Sequence, residues 1–309
     1  MQWSQIKTLF ILCFLILDIY LLYQFITKQD ESDLDTLEQQ NSTIEQRLKN
    51  ENIKIQPELD EVNLKESYIS VPQKNFTEKE STTLTGFENQ SSTIINNDLI
   101  VSQFEKPIPL PNDVKDETIE ETIKNYILFP DDYDFWGWNK NFNVLIFSQI
   151  KDGRPVYLNQ SGMLLVFLND NNEMSFYVQT MMGKVDDLDS VKPLYEPIQA
   201  INNLFTENYL YTDDEVTDVK IGYFTAVNVT DGTQTLAPTW KISVKGERLY
   251  FVNAIEGFVF SSDEVQFLQD SIKMIKEEVG TMEDKNDLKK EVLNELSQWP
   301  EVINRSETE

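Results

Sequence analysis

Near its start the chain has a long apolar segment, Thr8 to Ile26, which reads TLFILCFLILDIYLLYQFI. A helix of this length spans roughly 28 Å at about 1.5 Å per residue, which matches the hydrocarbon thickness of a bilayer. The segment is longer than the apolar region of a cleaved signal peptide, and no small-residue cleavage site follows it. The pattern therefore predicts an uncleaved transmembrane signal anchor over residues 8–26, preceded by a short N-terminal segment, residues 1–7.

The charged residues at the two ends of this segment predict its orientation. Lys7 precedes it, whereas Lys28 is followed closely by four acidic residues. The positive-inside rule then places the N-terminus in the cytoplasm and the chain after about residue 28 outside the cell. We expect a single-pass protein of the cell membrane, whose cytoplasmic part is too short to hold a domain.

One ionisable residue, Asp18, interrupts the apolar segment. A charge near the bilayer centre costs on the order of 2.5–3.5 kcal/mol on insertion scales, so such a residue commonly faces a partner. The segment contains no Gly or Ala, which leaves no small-residue packing motif for helix association. We hypothesise that Asp18 hydrogen-bonds to a polar group of another transmembrane helix, on a face shared with Phe14 and Leu22. The alternative is a protonated side chain, or one that reaches the outer interface.

A short heptad-like pattern follows the anchor, over residues 27–50. Its positions are spaced alternately by three and four residues, as in the seam of a coiled coil. Two heptads are too few to be stable alone. The pattern predicts a juxtamembrane stalk helix, and the alternative is a helix that pairs with the stalk of a partner. The seam positions are Leu34, Leu37, Asn41, Ile44 and Leu48.

The sequence pattern predicts that residues 51–188 form a first unit of helices and strands. Residues 78–97 are rich in Ser, Thr, Asn and Glu and indicate a long loop or an irregular hairpin. A strand is predicted over 99–104, and Pro107, Pro109 and Pro111 are expected to stop any sheet or helix after it. An amphipathic helix follows, and then three strand-like runs that are joined by turn sequences. The helix covers 113–128, and the strands cover 143–150, 163–168 and 174–180.

The same order, a helix and then strands, returns over residues 189–260. Strands joined by short turns indicate antiparallel sheets with segregated helices, which is the α+β class. The predicted architecture is a transmembrane helix, two consecutive helix-plus-antiparallel-sheet units, and an acidic helical tail over 261–309. This tail either packs loosely or serves as an interaction element. The second unit has a helix over 193–210 and strands over 216–229, 236–244, 247–254 and 257–260.

The composition favours a function that works by contact. The 309 residues include no histidine and one cysteine, and 53 acidic against 26 basic residues give a formal net charge of −27. Without histidine there is no Ser-His-Asp or Cys-His system and no His-ligated zinc, and one cysteine excludes a CxxC pair. The acidic surplus argues against nucleic-acid binding. We predict no catalytic residue, no cofactor and no metal site.

Carboxylate pairs are the catalytic possibility that remains. Asp131, Asp132 and Asp134 precede Trp136 and Trp138, but they lack the spacing of an EF-hand calcium loop. Tryptophans near acids occur in carbohydrate sites, although core or interface anchoring is more common. A glycosidase needs two carboxyl groups roughly 5–10 Å apart, a separation that no sequence pattern specifies. An extracytoplasmic carboxylate enzyme therefore stays open as an alternative.

Three features together resemble the YycI family. The first is the opening MQWSQIKTLFILCFLILDIYLLYQF, which has Trp3 and a polar residue inside the anchor. The second is DFW at residues 134–136. The third is PTWKI at residues 238–242 followed by YFVNAIEG at 250–257, which also resembles PepSY-type modules. The resemblance covers about residues 1–260.

Members of this family are single-pass accessory regulators of the essential YycG/WalK sensor histidine kinase of low-GC Gram-positive bacteria. The resemblance implies a non-enzymatic regulator of that two-component system, which is linked to cell-wall homeostasis. It implies two partners, the kinase with its own transmembrane helices and a YycH-type protein, so a homo- or hetero-dimer is expected. The alternative is an extracellular PepSY-like or wall-polymer binding module without a kinase partner.

Overall fold

Two mixed units of helices and antiparallel strands make up the computed structural model. It describes residues 12, 14–21, 43–59, 64–110, 116–187, 190–226, 232–246, 248–261, 263–283 and 286–297. Within these residues there are seven helices, two seven-stranded sheets and a two-stranded ribbon. The predicted α+β class is confirmed.

The helices and strands are numbered separately along the chain. The helices are α1 (14–21), α2 (43–50), α3 (Glu78–Thr85), α4 (Asp116–Ile123), α5 (Pro197–Thr206), α6 (Glu264–Gly280) and α7 (Asp287–Ser297). The strands are β1 (Lys54–Ile55), β2 (Lys65–Glu66), β3 (Ile69–Pro72), β4 (Gln90–Ile95), β5 (Leu99–Pro109), β6 (Tyr133–Asn139), β7 (Val144–Lys151), β8 (Arg154–Pro155), β9 (Met163–Leu168), β10 (Glu173–Thr180), β11 (Asp186–Asp187), β12 (Lys192–Pro193), β13 (Glu215–Phe224), β14 (Thr233–Val244), β15 (Arg248–Asn253) and β16 (Val259–Ser261).

The first sheet is covered by helices on both faces. Its strands run in the order β4-β5-β10-β9-β7-β6, with β8 added to β7. One face packs on α3 and α4 through Leu84, Ile119 and Ile123. The other face packs on α6 and α7. Every residue of β9 is therefore buried, which explains its continuous apolar sequence, since a sheet open on one face would show alternation.

Two C-terminal helices, α6 and α7, form part of the core of the first unit. The side chain of Asp263 caps α6 by accepting a hydrogen bond from the backbone N–H of Val265, at 2.8 Å. The apolar stripes of both helices lie against the sheet, so within residues 264–297 these stripes are covered by the core of this chain. The buried residues of these stripes are Phe267, Leu268, Ile272, Ile275, Val279, Leu288, Val292 and Leu296.

One carboxyl group on α7, that of Glu295, lies against the first sheet. The hydroxyl of Ser175 in β10 donates a hydrogen bond to Glu295 Oε2. Burial raises the pKa of Glu295 above its ordinary value of 4.5, and repulsion from Glu291 adds to this, although the bond from Ser175 opposes it. The folded state thus binds this proton more tightly than the unfolded state. Folding stability is expected to fall as the pH rises from about 4.5 through the raised pKa.

Glu295→Gln is expected to remove this pH-dependent loss, because the amide stays neutral at every pH. The variant should be more stable than the parent at about pH 7, and the two should converge below about pH 4. Denaturant unfolding of the full chain at a series of pH values measures this. Glu277→Gln, at an exposed position of α6, is the matched control and should follow the parent. If the unfolding free energy of Glu295→Gln equals that of the parent at every pH, the raised pKa of Glu295 is contradicted.

The second sheet packs helices on one face and the first unit on the other. Its strands run in the order β1-β13-β14-β15-β16, with β3 beside β14 and β11 beside β3. β1 pairs with β13 in parallel, and the other pairs are antiparallel. The helix face is covered by α2 and α5. On the opposite face, Phe224 and Phe251 stack with ring centroids 4.6 Å apart and join the core of the first unit.

The chain order of the second sheet differs from the sequence prediction. β1 and β3 precede the first sheet, within the range 51–188 that the periodicity assigns to the first unit. They pair instead with β13 and β14, for example Ile69 with Leu236. These strands have only two and four residues, too few to show a period that would indicate their sheet.

Residues 78–97 form α3 and β4 rather than a loop. Thr77 begins α3 with a capping box, in which Glu80 Oε2 accepts a hydrogen bond from the Thr77 backbone N–H at 2.6 Å. The Thr-x-x-Glu spacing is the sequence signature of such a helix start. The loop prediction gave more weight to the polar composition than to this spacing.

β5 runs past its predicted end and includes Pro107, with Pro109 as its last residue. β4 pairs with β5 only as far as Phe104, so the last residues of β5 lie at an edge on that side. On the other side they still pair with β10, as in Ile108 with Met174. Proline is tolerated at such an edge because no neighbouring strand needs its missing N–H.

The two units meet closely at Gly222 of β13. A Cβ atom there would lie 2.5 Å from the Pro155 carbonyl oxygen and 2.5 Å from Tyr157 Cζ. Beside this contact, the Tyr157 backbone N–H donates a hydrogen bond to the Tyr223 carbonyl at 2.8 Å. The absence of a side chain at residue 222 is thus what lets the first unit approach the second sheet.

Candidate partner-binding surfaces

Helix α1 is apolar apart from Asp18 and is exposed along its described length. The large apolar side chains at 12 and 14–21 are between 48% and 59% exposed. An amphipathic surface helix would bury one stripe, whereas a helix that is apolar all round requires an apolar environment. Asp18 lies in this helix one turn after Phe14 and is also exposed. No helix within the described residues is both long and apolar enough to cross a membrane.

A crevice of about 650 Å³ separates part of the second sheet from β6 and the start of α6. On the side of the first unit, the Glu264 carboxylate ties α6 to β6, since it accepts hydrogen bonds from Trp136 Nε1 at 2.8 Å and Asn139 Nδ2 at 2.9 Å. Lys241 lies 5.0 Å from the centroid of the Trp136 ring and 3.2 Å from the carboxylate of Asp218. The Lys241–Trp136 contact therefore crosses the crevice and links the second sheet to β6, while the Glu264 carboxylate is bonded within the first unit.

Among the described residues of the second unit, four large apolar side chains are exposed. Tyr195 and Phe258 lie near each other, because Gly257 contacts the Tyr195 ring and the Tyr195 backbone N–H donates to the Ala254 carbonyl at 2.6 Å. Contiguous exposed apolar groups on a folded surface commonly mark a contact with a protein or a membrane. The exposed fractions are 66% for Val191, 37% for Tyr195, 62% for Tyr211 and 59% for Phe258.

A family model described as "YycI protein" matches residues 31–255, more than two thirds of the chain. This chain belongs to the YycI family. The match covers the first sheet and the second sheet as far as β15, and it ends before β16, α6 and α7. The sequence resemblance is therefore confirmed over most of the part outside the apolar segment, and the family is a regulatory one.

Two solved structures share low similarity with this YycI chain. An uncharacterized protein from Eubacterium rectale is 13% identical, with a TM-score of 0.42, over 69% of this chain and 91% of that one. YycH from Bacillus subtilis is 13% identical, with a TM-score of 0.36, over 65% of this chain and 52% of that one. No curated protein sequence matches this chain.

The partner-binding residues predicted from the sequence are only partly described in this YycI chain. Phe14 and Asp18 are on α1, whereas Leu22, Leu34, Leu37 and Asn41 lie outside the described residues. The two remaining seam positions of the stalk pattern, Ile44 and Leu48, are buried in α2 against the second unit. Their apolar faces serve the fold of this chain.

The acidic clusters serve local structure. No group of three or more Asp, Glu, Cys or His side chains is placed to hold a metal ion in the described part of the chain. Near the start of β6, burial raises the pKa of Asp134 above 3.8, and the nearby Glu120 adds to this shift. The two acids that line the crevice are both used in hydrogen bonds, since Asp263 caps α6 and Glu264 bridges β6.

Sequence reasoning did not find the crevice or the exposed aromatic pair. The crevice joins residues that are more than 100 positions apart, a proximity for which a single sequence carries no signal. The exposed pair had a local signal, because Asn253 and Gly257 bracket a turn and Phe258 follows it directly.

Proposed function

We propose that this chain is a membrane-anchored, non-enzymatic regulator of a YycG/WalK-type sensor histidine kinase. In this proposal residues 8–26 cross the cell membrane with the N-terminus in the cytoplasm, and the two sheet units lie outside. The chain acts with a YycH-type protein and controls a two-component system of cell-wall homeostasis. The observation that carries the proposal is the family match over residues 31–255.

The exposed apolar helix supports the anchor part of the proposal. Its described side chains are about half exposed on all sides, which is costly in water and favourable in lipid. The crevice supports the non-enzymatic part, because its acids already accept hydrogen bonds from neighbouring side chains and backbone.

The mechanism that we propose is a shift between two states of the kinase. The anchor helix packs on the kinase transmembrane helices, and the outer units pair with the YycH-type protein. Any change in that outer assembly biases the kinase only as far as the contacts differ in free energy between its two states. A rotation or shift of packed helices is a common form of such a transition.

Asp18→Leu is expected to weaken association with the kinase in membranes. A hydrogen bond between transmembrane helices contributes about 1 kcal/mol, which corresponds to about a fivefold loss of affinity. Co-purification of the kinase from mild detergent measures this, with Asp18→Asn as the matched control because its amide can still form hydrogen bonds. Equal recovery of the kinase with Asp18→Leu and the parent would contradict the role of Asp18.

The same co-purification separates the kinase regulator from a binding module that acts alone. A regulator of this kind brings down the kinase and the YycH-type protein, whereas a PepSY-like or wall-polymer binding module brings down neither. Absence of both proteins from the parent sample would overturn the proposed function.

A further inference from the structure

The turn after β15 is rigid and presents Phe258 to solvent. Asn253 Oδ1 accepts hydrogen bonds from the backbone N–H groups of Ile255, at 2.9 Å, and Glu256, at 3.0 Å. Gly257 has a φ of +76° and donates its N–H to the Asn253 carbonyl at 2.8 Å. Because a Cβ at Gly257 would lie 2.7 Å from Asn203 Nδ2, this residue is held against α5. Phe258 is nevertheless 59% exposed.

Two exposed lysines lie beside this turn. β2 and β12 pair so that Lys65 lies opposite Pro193 and Lys192 opposite Glu66. The carboxylate of Glu66 is held by a two-bond contact with Arg154, which leaves the ammonium groups of Lys65 and Lys192 as the exposed charges of this ribbon. Lys192 lies 5.8 Å from the Tyr68 ring, and Asn253 Nδ2 donates a hydrogen bond to the Tyr68 hydroxyl.

We call the exposed apolar and basic side chains around this turn the Phe258 surface. It combines exposed apolar groups with two bases, in a chain whose formal net charge is −27. The surface consists of Val191, Lys192, Tyr195, Phe258 and Lys65. Glu256, on the turn itself, is an exposed acid next to this surface.

The direction of α2 places residue 43, where the folded units begin, at the same end of the second unit as the Phe258 surface. Arg47 contacts Asn202 and lies 5.9 Å from the Phe205 ring in α5. The residues after α2 contact residues after α5, as in Asn52 with Asp213. The two helices thus run in the same direction, so residue 43 lies toward the N-terminal end of α5. Tyr195 directly precedes that end.

We propose that the Phe258 surface rests on the outer face of the lipid bilayer. This proposal rests on the membrane anchor of the proposed function, because the chain that leaves the anchor helix enters the folded units at residue 43. Aromatic side chains favour the headgroup region, and lysines beside them favour anionic lipid phosphates. The acidic remainder of the chain is repelled by the same lipids, so the two bases orient this end toward the membrane.

The opposite end of the second unit, beyond the C-terminal end of α5, combines an exposed aromatic side chain with paired charges. Tyr211 is 62% exposed, but it lies after α5, close to Arg248 at 5.5 Å. The Arg248 guanidinium and the Lys245 ammonium share the Asp214 carboxylate, which lies 3.1 Å from Lys245, and the exposed Asp213 adds a second acid at this end. Tyr211 is therefore a matched control, with equal exposure but at the end away from the proposed lipid contact.

Depth-dependent quenching in nanodiscs tests the lipid contact. The full chain is reconstituted with phosphatidylcholine and phosphatidylglycerol, some of which carry a nitroxide at the headgroup. In a Cys13→Ser background, an environment-sensitive fluorophore is attached to Phe258→Cys, Val191→Cys or Tyr211→Cys. The same fluorophore on the native Cys13, quenched by nitroxides on the acyl chains, reports the anchor separately.

The proposal predicts a loss of fluorescence and a blue-shifted emission at positions 258 and 191, with neither change at 211. Lys65→Glu with Lys192→Glu should reduce the loss at 258. Quenching at Cys13 with none at 258 and 191 would overturn the lipid contact and leave the anchor intact, as would equal quenching at 211. No quenching at Cys13 would overturn the anchor and, with it, the lipid contact.

Discussion

Val292→Asp is expected to unfold the C-terminal part of the core in the first unit. Val292 is 0% exposed and packs with α6 and the first sheet. An unpaired carboxylate in this position is costly, and a loss on the order of 4 kcal/mol or more is expected. That is a large part of the 5–15 kcal/mol by which domains are typically stable.

Denaturant unfolding of the detergent-solubilised chain, followed by circular dichroism, measures this loss. Asn294→Asp is the matched control, because it adds the same charge to the exposed face of the same helix. This control variant should leave the denaturant midpoint of unfolding unchanged. Equal midpoints for the two variants would contradict the position of α7 in the core.

Gly222→Ala is expected to separate the two units or to displace one of them. The added Cβ would meet the Pro155 carbonyl oxygen and the Tyr157 ring at 2.5 Å, and a backbone atom cannot rotate away as a flexible side chain can. Overpacking of this kind costs about 1–3 kcal/mol, and occasionally more.

The same unfolding measurement, together with limited proteolysis between the units, detects this change. Gly137→Ala in β6 is the control, since no atom lies within 4 Å of the Cβ that it adds. It should be neutral or slightly stabilising, because alanine has less conformational freedom to lose in the unfolded chain. If Gly222→Ala unfolds at the same denaturant concentration as the parent, the close approach of the two units at Gly222 is contradicted.

The strongly patterned elements were predictable from the sequence. β9 was predicted over 163–168 and has those bounds, and α5 lies inside its predicted range of 193–210. Both have clear apolar patterns and turn or cap residues at their ends. The apolar stripes of α6 and α7 were also visible, but a stripe does not say what covers it. Their position on the first sheet depends on contacts between residues far apart in the chain.

The short strands and the surfaces were not predictable. β1, β2, β11 and β12 have two residues each, and their pairing is set by the elements around them. The stalk pattern was ambiguous for a different reason, since Ile44 and Leu48 fit a coiled-coil seam and an intramolecular core equally well. The structure places them in the core of the second unit.

Photocrosslinking from α1 in native membranes tests the central claim, that this chain regulates a kinase through contact in the membrane. A photoreactive residue replaces Phe14, on the Asp18 face, or Ile16, which lies about 160° away from Asp18 around the helix. Both side chains are 57% exposed in this structure, so they form a matched pair. Position 14 is expected to give adducts with a kinase transmembrane helix, in several-fold excess over position 16. No kinase adduct from position 14, or equal yields from both positions, would contradict it.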